Sequence, residues 1–189
     1  MSLAPHDLFT HLLPQWQFEE RHDRLLQHTT PAAALATAAA YRPDGDRLIA
    51  GLIALREWPG RLAAALGRPN ALGHRAAFGF DDFTPIGRDG SYLAFGLVGR
   101  FWEADYGLRS VQGADAFRGF SEPGTARLLL GFHAEPAGGG SRLSTLTRIH
   151  CPDTASLARM RRYWWLIRPA SGLIRRRMLA RIDALARAG

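Results

Sequence analysis

The sequence predicts an α+β domain in which an antiparallel sheet is covered by a long C-terminal helix. Three observations predict it. Residues 125–135 and 141–151 alternate in side-chain character and are joined by Pro136-Ala-Gly-Gly-Gly140, as a hairpin requires. Residues 157–185 carry apolar side chains at three- and four-residue steps, the period of a helix with one oily face. The chain of 189 residues is 47% hydrophobic, with ten Phe, five Trp and four Tyr, which suits one domain with a real core and excludes a disordered polymer.

Residues 1–16 read as an N-terminal leader with one helical turn around Leu8–Leu13, and residues 17–189 as the single domain. Residues 17–28, with Phe18, Leu25 and Leu26 among charges, read as an edge-like first strand. Thr30-Pro31 is a helix start, because Thr can cap and Pro at the first helical position gives up no needed donor. Ala32–Tyr41 follows as a helix of high propensity, broken by Pro43-Asp44-Gly45-Asp46. Asp46 caps a second helix bearing Leu48, Ile49, Leu52, Ile53 and Leu55, which should stop before Pro59. A third short helix, Arg61–Leu66, closes at Gly67.

From Phe80 to Phe101 the texture becomes that of strands, punctuated by Pro85 and Asp89-Gly90. Within Tyr92–Trp102, Leu93, Phe95, Leu97 and Phe101 oppose Tyr92, Ala94, Val98 and Arg100. The later hairpin yields its own register. Its apolar sets meet on one side only with Phe132 opposite Thr145 and Leu130 opposite Thr147, which sets Glu135 beside Arg142 and Arg127 beside His150. The sheet should then have one wet face and one greasy face. After Cys151-Pro152, either Asp153 or Thr154 caps the last helix, whose stripe is Leu157, Met160, Trp164, Ile167, Ser171, Ile174, Met178, Ile182 and Leu185. Pro169 and Gly172 should kink it. Its stripe needs a partner, and the greasy face of the sheet is large enough.

Charge is distributed unevenly. All 24 Lys+Arg residues are Arg, and nine of them follow Pro152, where the only acids are Asp153 and Asp183, so this last fifth holds the whole net charge of +7. The lack of Lys points to genome composition more than to chemistry. One cysteine excludes an internal disulfide and any multi-cysteine zinc site. The start has no basic segment leading into a long apolar run, and the longest apolar stretch, Leu48–Leu55, is too short for a bilayer, which needs roughly 20 residues. A cytoplasmic protein is the expectation.

This order of elements resembles the helix-grip fold of the START and Bet v 1-like superfamily, the SRPBCC proteins. The resemblance covers about residues 17–187 and rests on Gly99-Arg100-Phe101-Trp102, on Ser141-Arg-Leu-Ser-Thr145, and on Arg161-Arg-Tyr-Trp-Trp-Leu-Ile-Arg-Pro-Ala-Ser-Gly-Leu-Ile174, which is similar to the C-terminal helix of bacterial members. It implies a curved antiparallel sheet wrapped around the long C-terminal helix, short helices after the first strand, and a cavity between sheet and helix. The superfamily holds carriers, receptors, cyclases and hydrolases, so the fold licenses no one reaction.

Candidate chemistry is sparse. His133 and Glu135 share a strand face and could exchange protons, but the register puts them on the wet face, where Arg142 already attends Glu135. The seven His residues (6, 11, 22, 28, 74, 133 and 150) show no metal-ligand spacing. Cys151 ends a strand on the inner face and reads as a buried, inert thiol. Asp81-Asp82 reads as a turn, and Gly138–Gly140 as a loop with no Lys or helix behind it to bind phosphate. Thr145 and Thr147 are hydroxyls on a greasy face, which serve β-propensity or anchor a ligand. The expected site is therefore Phe95, Leu97, Phe101, Leu130, Phe132, Thr145, Thr147, Met160 and Trp164, with no catalytic residue, metal or cofactor. A small hydrophobic molecule, a lipid or a polyketide-like or aromatic metabolite, is the expected partner, and a cyclase-, dehydratase- or hydrolase-like enzyme is the alternative. Arg175, Arg176 and Arg177 also suit an anionic membrane surface. With Tyr163, Trp164 and Trp165 they could meet nucleic acid, but the sheet's claim on the apolar stripe argues against it.

Overall fold

The computed structural model describes residues 7–43, 46–66 and 78–188. The expectations for residues 1–6, for Asp44-Gly45, for the stop at Gly67 and for His74 lie outside the described residues. The elements in chain order are α1 (Asp7–Leu12), β1 (Phe18–Gln27), α2 (Pro31–Ala40), α3 (Arg47–Ala65), β2 (Thr84–Asp89), β3 (Tyr92–Gly99), α4 (Gly113–Gly119), β4 (Ala126–Ala137), β5 (Gly140–His150) and α5 (Thr154–Ala188). The strands form one open antiparallel sheet in the order β1-β5-β4-β3-β2. The chain is thus α+β with a long C-terminal helix.

Local chemistry explains where the elements begin. The Thr30 hydroxyl accepts from the Ala33 amide at 3.2 Å, ahead of Pro31, and starts α2. Asp153 is the residue that caps α5, accepting from the Ser156 amide at 2.7 Å and from the Gly124 amide at 2.9 Å. The Ser156 hydroxyl, those amides and that of Ala155 hold its carboxyl down at about 2, against the opposing effect of burial. In the hairpin, Phe132 pairs with Thr145, Leu130 with Thr147, Glu135 with Arg142 and Arg127 with His150. The turn closes through Gly138 and Gly139 at φ of 51° and 78°, left-handed values that favour glycine. β1 lies at one edge and β2 at the other, where Pro85 and a register shift blunt the pairing.

Helix α5 runs along β1 in the same direction. Trp164 packs on Phe18 with ring centroids 5.6 Å apart, Gly172 lies over Glu20, and Asp183 accepts from Arg24 at 2.8 Å. A Cβ at position 172 would come within 2.9 Å of Glu20 Oε1, so glycine leaves room here for the Glu20 carboxylate. Helix α2 fills the angle beside it, packing Leu35 and Ala38 with Phe95, Phe132, Leu179 and Ile182.

Three expectations are corrected. The second and third helices are one: α3 runs through Pro59, which removes a single donor while Glu57 bridges the proline by accepting from Arg61 at 2.7 Å. Helix α5 contains Pro169 and Gly172 within one continuous element. The sheet face expected to be wet is covered instead. Phe9, Leu12 and Leu13 near α1 and Phe117 of α4 close over Tyr92, Ala94, Val98, Leu129 and Leu146 as a further core. The leader is therefore in part a core element. A six-residue helix is too short to display a period, and α4, set between glycines, gives no sequence signal for the same reason. No helix among the described residues is long and apolar enough to cross a membrane.

Asp46 ties α3 to α5. Its buried carboxylate accepts from the Leu48 amide at 3.0 Å and the Ile49 amide at 3.3 Å, and from Arg177 Nε at 2.6 Å. Burial alone would raise this carboxyl, but Arg177 and the two amides outweigh it and hold the group below the ordinary carboxylate range. A carboxyl depressed in the folded state stabilises the fold above its unfolded pKa and loses that contribution as pH falls through the folded value. Asp46→Ala should cost about 2 kcal/mol in urea denaturation at pH 7. The difference from wild type should shrink in acid, below the usual range of a free carboxylate.

Candidate functional site

Between the inner face of the sheet, α3 and α5 lies a cavity of about 230 Å³. Its floor is Leu97 of β3, Leu128 and Leu130 of β4, and Thr147 and Ile149 of β5. These positions share a face because strands alternate. Helix α3 supplies Ile49, Leu52, Ile53 and Arg56, and α5 supplies Met160, Trp164, Ile167, Ser171, Ile174, Arg175 and Met178, each set at helical spacing. One end is aromatic. Phe78 stacks on Tyr106 at 4.7 Å and meets Phe83 edge-on at 5.9 Å, while Phe80 crosses Phe95 at 4.9 Å. The wall is predominantly apolar with a few polar groups, the composition of small-molecule sites.

Arg56 is one of those groups, and it is fully employed. Its guanidinium donates to the carbonyls of Phe101 at 3.1 Å, Glu103 at 2.6 Å and Ala104 at 3.2 Å, and to the Tyr163 hydroxyl at 3.2 Å. It also lies 4.3 Å from the Tyr106 ring centre. Burial of Tyr106 pushes its phenol well above the ordinary value. Next to Arg56, Glu57 accepts from the Phe78 amide at 2.9 Å. These two consecutive residues therefore hold the aromatic end of the cavity against α3.

The opposite polar group behaves differently. Arg175 is partly buried on the cavity wall, and among the described residues it makes no side-chain hydrogen bond or ion pair within 4 Å. Burial lowers its guanidinium to about 10, with Glu20 opposing the shift. Beneath Gly172, Glu20 and His22 of β1 face each other at 2.9 Å, and Glu20 is only 9% exposed. The second oxygen of Glu20 is buried and has no partner.

The structure brings six of the nine expected site residues to this cavity: Leu97, Phe101, Leu130, Thr147, Met160 and Trp164. Phe95, Phe132 and Thr145 do not line it. The two phenylalanines belong to the core under α2, and Thr145, one pair further along β5, has a buried hydroxyl with no partner. His133 is corrected from the wet face to a buried position, 7% exposed and stacked on Tyr92 at 4.5 Å, while Glu135 stays near the surface with Arg142 at 3.9 Å. The aspartate pair forms a 3-10 turn, Phe80–Asp82, with the Asp81 side chain 91% exposed. The basic triplet divides: Arg175 faces the cavity, Arg176 is exposed, and Arg177 holds Asp46. Successive helical residues are about 100° apart, so the three share no face.

Two contributions lie beyond the sequence reading. The wall from α3 has no signal of its own, because its apolar residues read equally well as plain core. Glu20 and His22 could have been found by extending the hairpin pairing to β1, where they lie opposite Thr147 and Thr145. Among the described residues no group of three His, Cys, Asp or Glu is placed to hold a metal ion. Comparison with family models, with curated proteins and with solved structures gives no match.

Cys151 is buried, and that burial, reinforced by Asp153, pushes its thiol up to about 12. The folded protein at pH 8 should resist iodoacetamide, and labelling should appear only in denaturant, as read by intact mass.

Proposed function

We propose that this protein binds a small, largely apolar molecule in the cavity between the sheet, α3 and α5, in the manner of a helix-grip protein of the START and Bet v 1-like kind. The observation that carries the reading is the cavity itself, of about 230 Å³ and walled by three separate elements with apolar faces. The space is concave, partly open and lined mainly by apolar side chains, the setting in which small molecules bind. Its aromatic end is braced by Arg56 and Glu57 through bonds to backbone.

A cyclase- or hydrolase-like use of the same cavity has one observation in its favour, the Glu20–His22 pair at 2.9 Å. The pair lies beside the cavity and does not line it, so binding is the stronger reading.

The neutral fluorophore N-phenyl-1-naphthylamine tests it. Wild-type protein should take up the dye with blue-shifted, saturable emission. Ala170→Trp places an indole on the cavity wall and should weaken uptake about tenfold or more, roughly 1.4 kcal/mol, with the circular dichroism spectrum retained. Absence of uptake by the wild type, or uptake untouched by the substitution, would contradict the proposal.

A further inference from the structure

Polar side chains inside an apolar cavity normally find partners within the protein. Arg56 does so four times over. Arg175 does not, and Thr147 and Ser171, which share its cavity wall, have no side-chain hydrogen bond among the described residues either. Ser171 and Arg175 are four residues apart on α5 and so occupy one helix face. Thr147 pairs across the sheet with Glu20, which lies under Gly172 on that same helix. One corner of the cavity thus combines a guanidinium that makes no direct ion pair among the described residues, its charge balanced only at a distance by Glu20, with two hydroxyl donors, while the remaining walls are mainly hydrocarbon and aromatic rings.

We infer that this corner is an anchor for a carboxylate, so that the occupant of the cavity is an amphipathic monoanion: an apolar body with one carboxylate head held by Arg175, Thr147 and Ser171. The inference rests on the apolar-cavity reading and adds the head group to it. A guanidinium presents two parallel N–H donors that match the two oxygens of a carboxylate, and a partly desolvated site strengthens that pair. Burial weakens the hold of Arg175 on its proton and outweighs the opposing effect of Glu20, as fits a cation with no direct ion pair. Glu20 sets the limit on charge. One of its oxygens takes His22 and the other is buried without a hydrogen-bond partner, and the carboxylate acts on Arg175 from nearby, so it opposes any anion and a dianion such as a phosphate monoester about twice as strongly as a monocarboxylate.

Isothermal titration calorimetry with decanoate, 1-decanol and decyl phosphate tests the inference on the full chain. Wild type should bind decanoate about tenfold more tightly than 1-decanol, and no less tightly than decyl phosphate. Arg175→Met should remove the preference for decanoate over 1-decanol, and Arg175→Lys, which keeps the charge, should restore part of it. Equal binding of acid and alcohol by the wild type would overturn the anchor, whatever the variants do. So would a preference that survives in Arg175→Met, or a tenfold advantage for decyl phosphate. N-phenyl-1-naphthylamine separates the two failures: dye uptake without head-group preference overturns the carboxylate anchor alone, and loss of both overturns the cavity reading and the anchor with it.

Discussion

The Asp46 carboxylate is the interaction on which the arrangement of helices turns. It does two jobs with one buried charge. It caps α3 by taking two amides that the helix would leave unpaired, and it takes Arg177 from α5 at 2.6 Å. Hydrogen bonds to a charged group contribute about 1.5–3 kcal/mol each, enough to outweigh the cost of burial. The consequence is geometric. The start of α3 is fixed against one turn of α5, and residues further along the two helices face each other across a gap. Midway along it, Arg56 and Glu57 tie α3 to the 101–104 carbonyls and to Phe78. With its start and its middle tethered, the first half of α3 is held as one wall of the cavity.

The two faces of the sheet leave space of different kinds: a polar pocket of about 180 Å³ beside Trp16, Glu19, Arg21, Ser144 and Arg148 on the outer face, and the apolar cavity on the inner. On the outer face, α1 and α4 are short and lie directly on the strands, with Phe9 and Phe117 filling the space against Tyr92, Val98 and Leu129. On the inner face, α5 follows β1 at the edge, and α2 covers one half of the sheet with small alanines that let it approach closely. The other half is spanned by α3 at a distance. Solid packing and open space therefore have separate causes within one sheet. The polar groups are sorted likewise: Arg56 braces one end of the open half through four hydrogen bonds, while Arg175 at the other makes none among the described residues.

Much of this is legible in the sequence where one period governs one element. The β4–β5 register follows from requiring both apolar sets on one face, and the length of α5 from its stripe. The inner strand residues Leu97, Leu130 and Thr147 and the helix residues Met160 and Trp164 come with them. What escapes are features that depend on two elements at once. Phe95, Phe132 and Thr145 have the same parity as the true lining residues, and only the position of α2 decides that the phenylalanines are plain core. Pro59 reads as a stop because local chemistry disfavours it, whereas bonds on both sides carry α3 through. His133 reads as surface because the cover over its face of the sheet comes from short helices without a readable period. Arg175 looks like one of three equal cations, and only the placement of Asp46 and of the cavity tells them apart.

The central claim is that the space beneath α5 receives a guest, and the methionines report on it directly. Met160 and Met178 stand on the cavity wall, about five helical turns apart along α5. Methyl-labelled methionine spectra recorded during titration with 1-decanol should show both signals moving together, with one saturation curve. Signals of Met160 and Met178 that hold their positions while the alcohol saturates the protein would contradict the account.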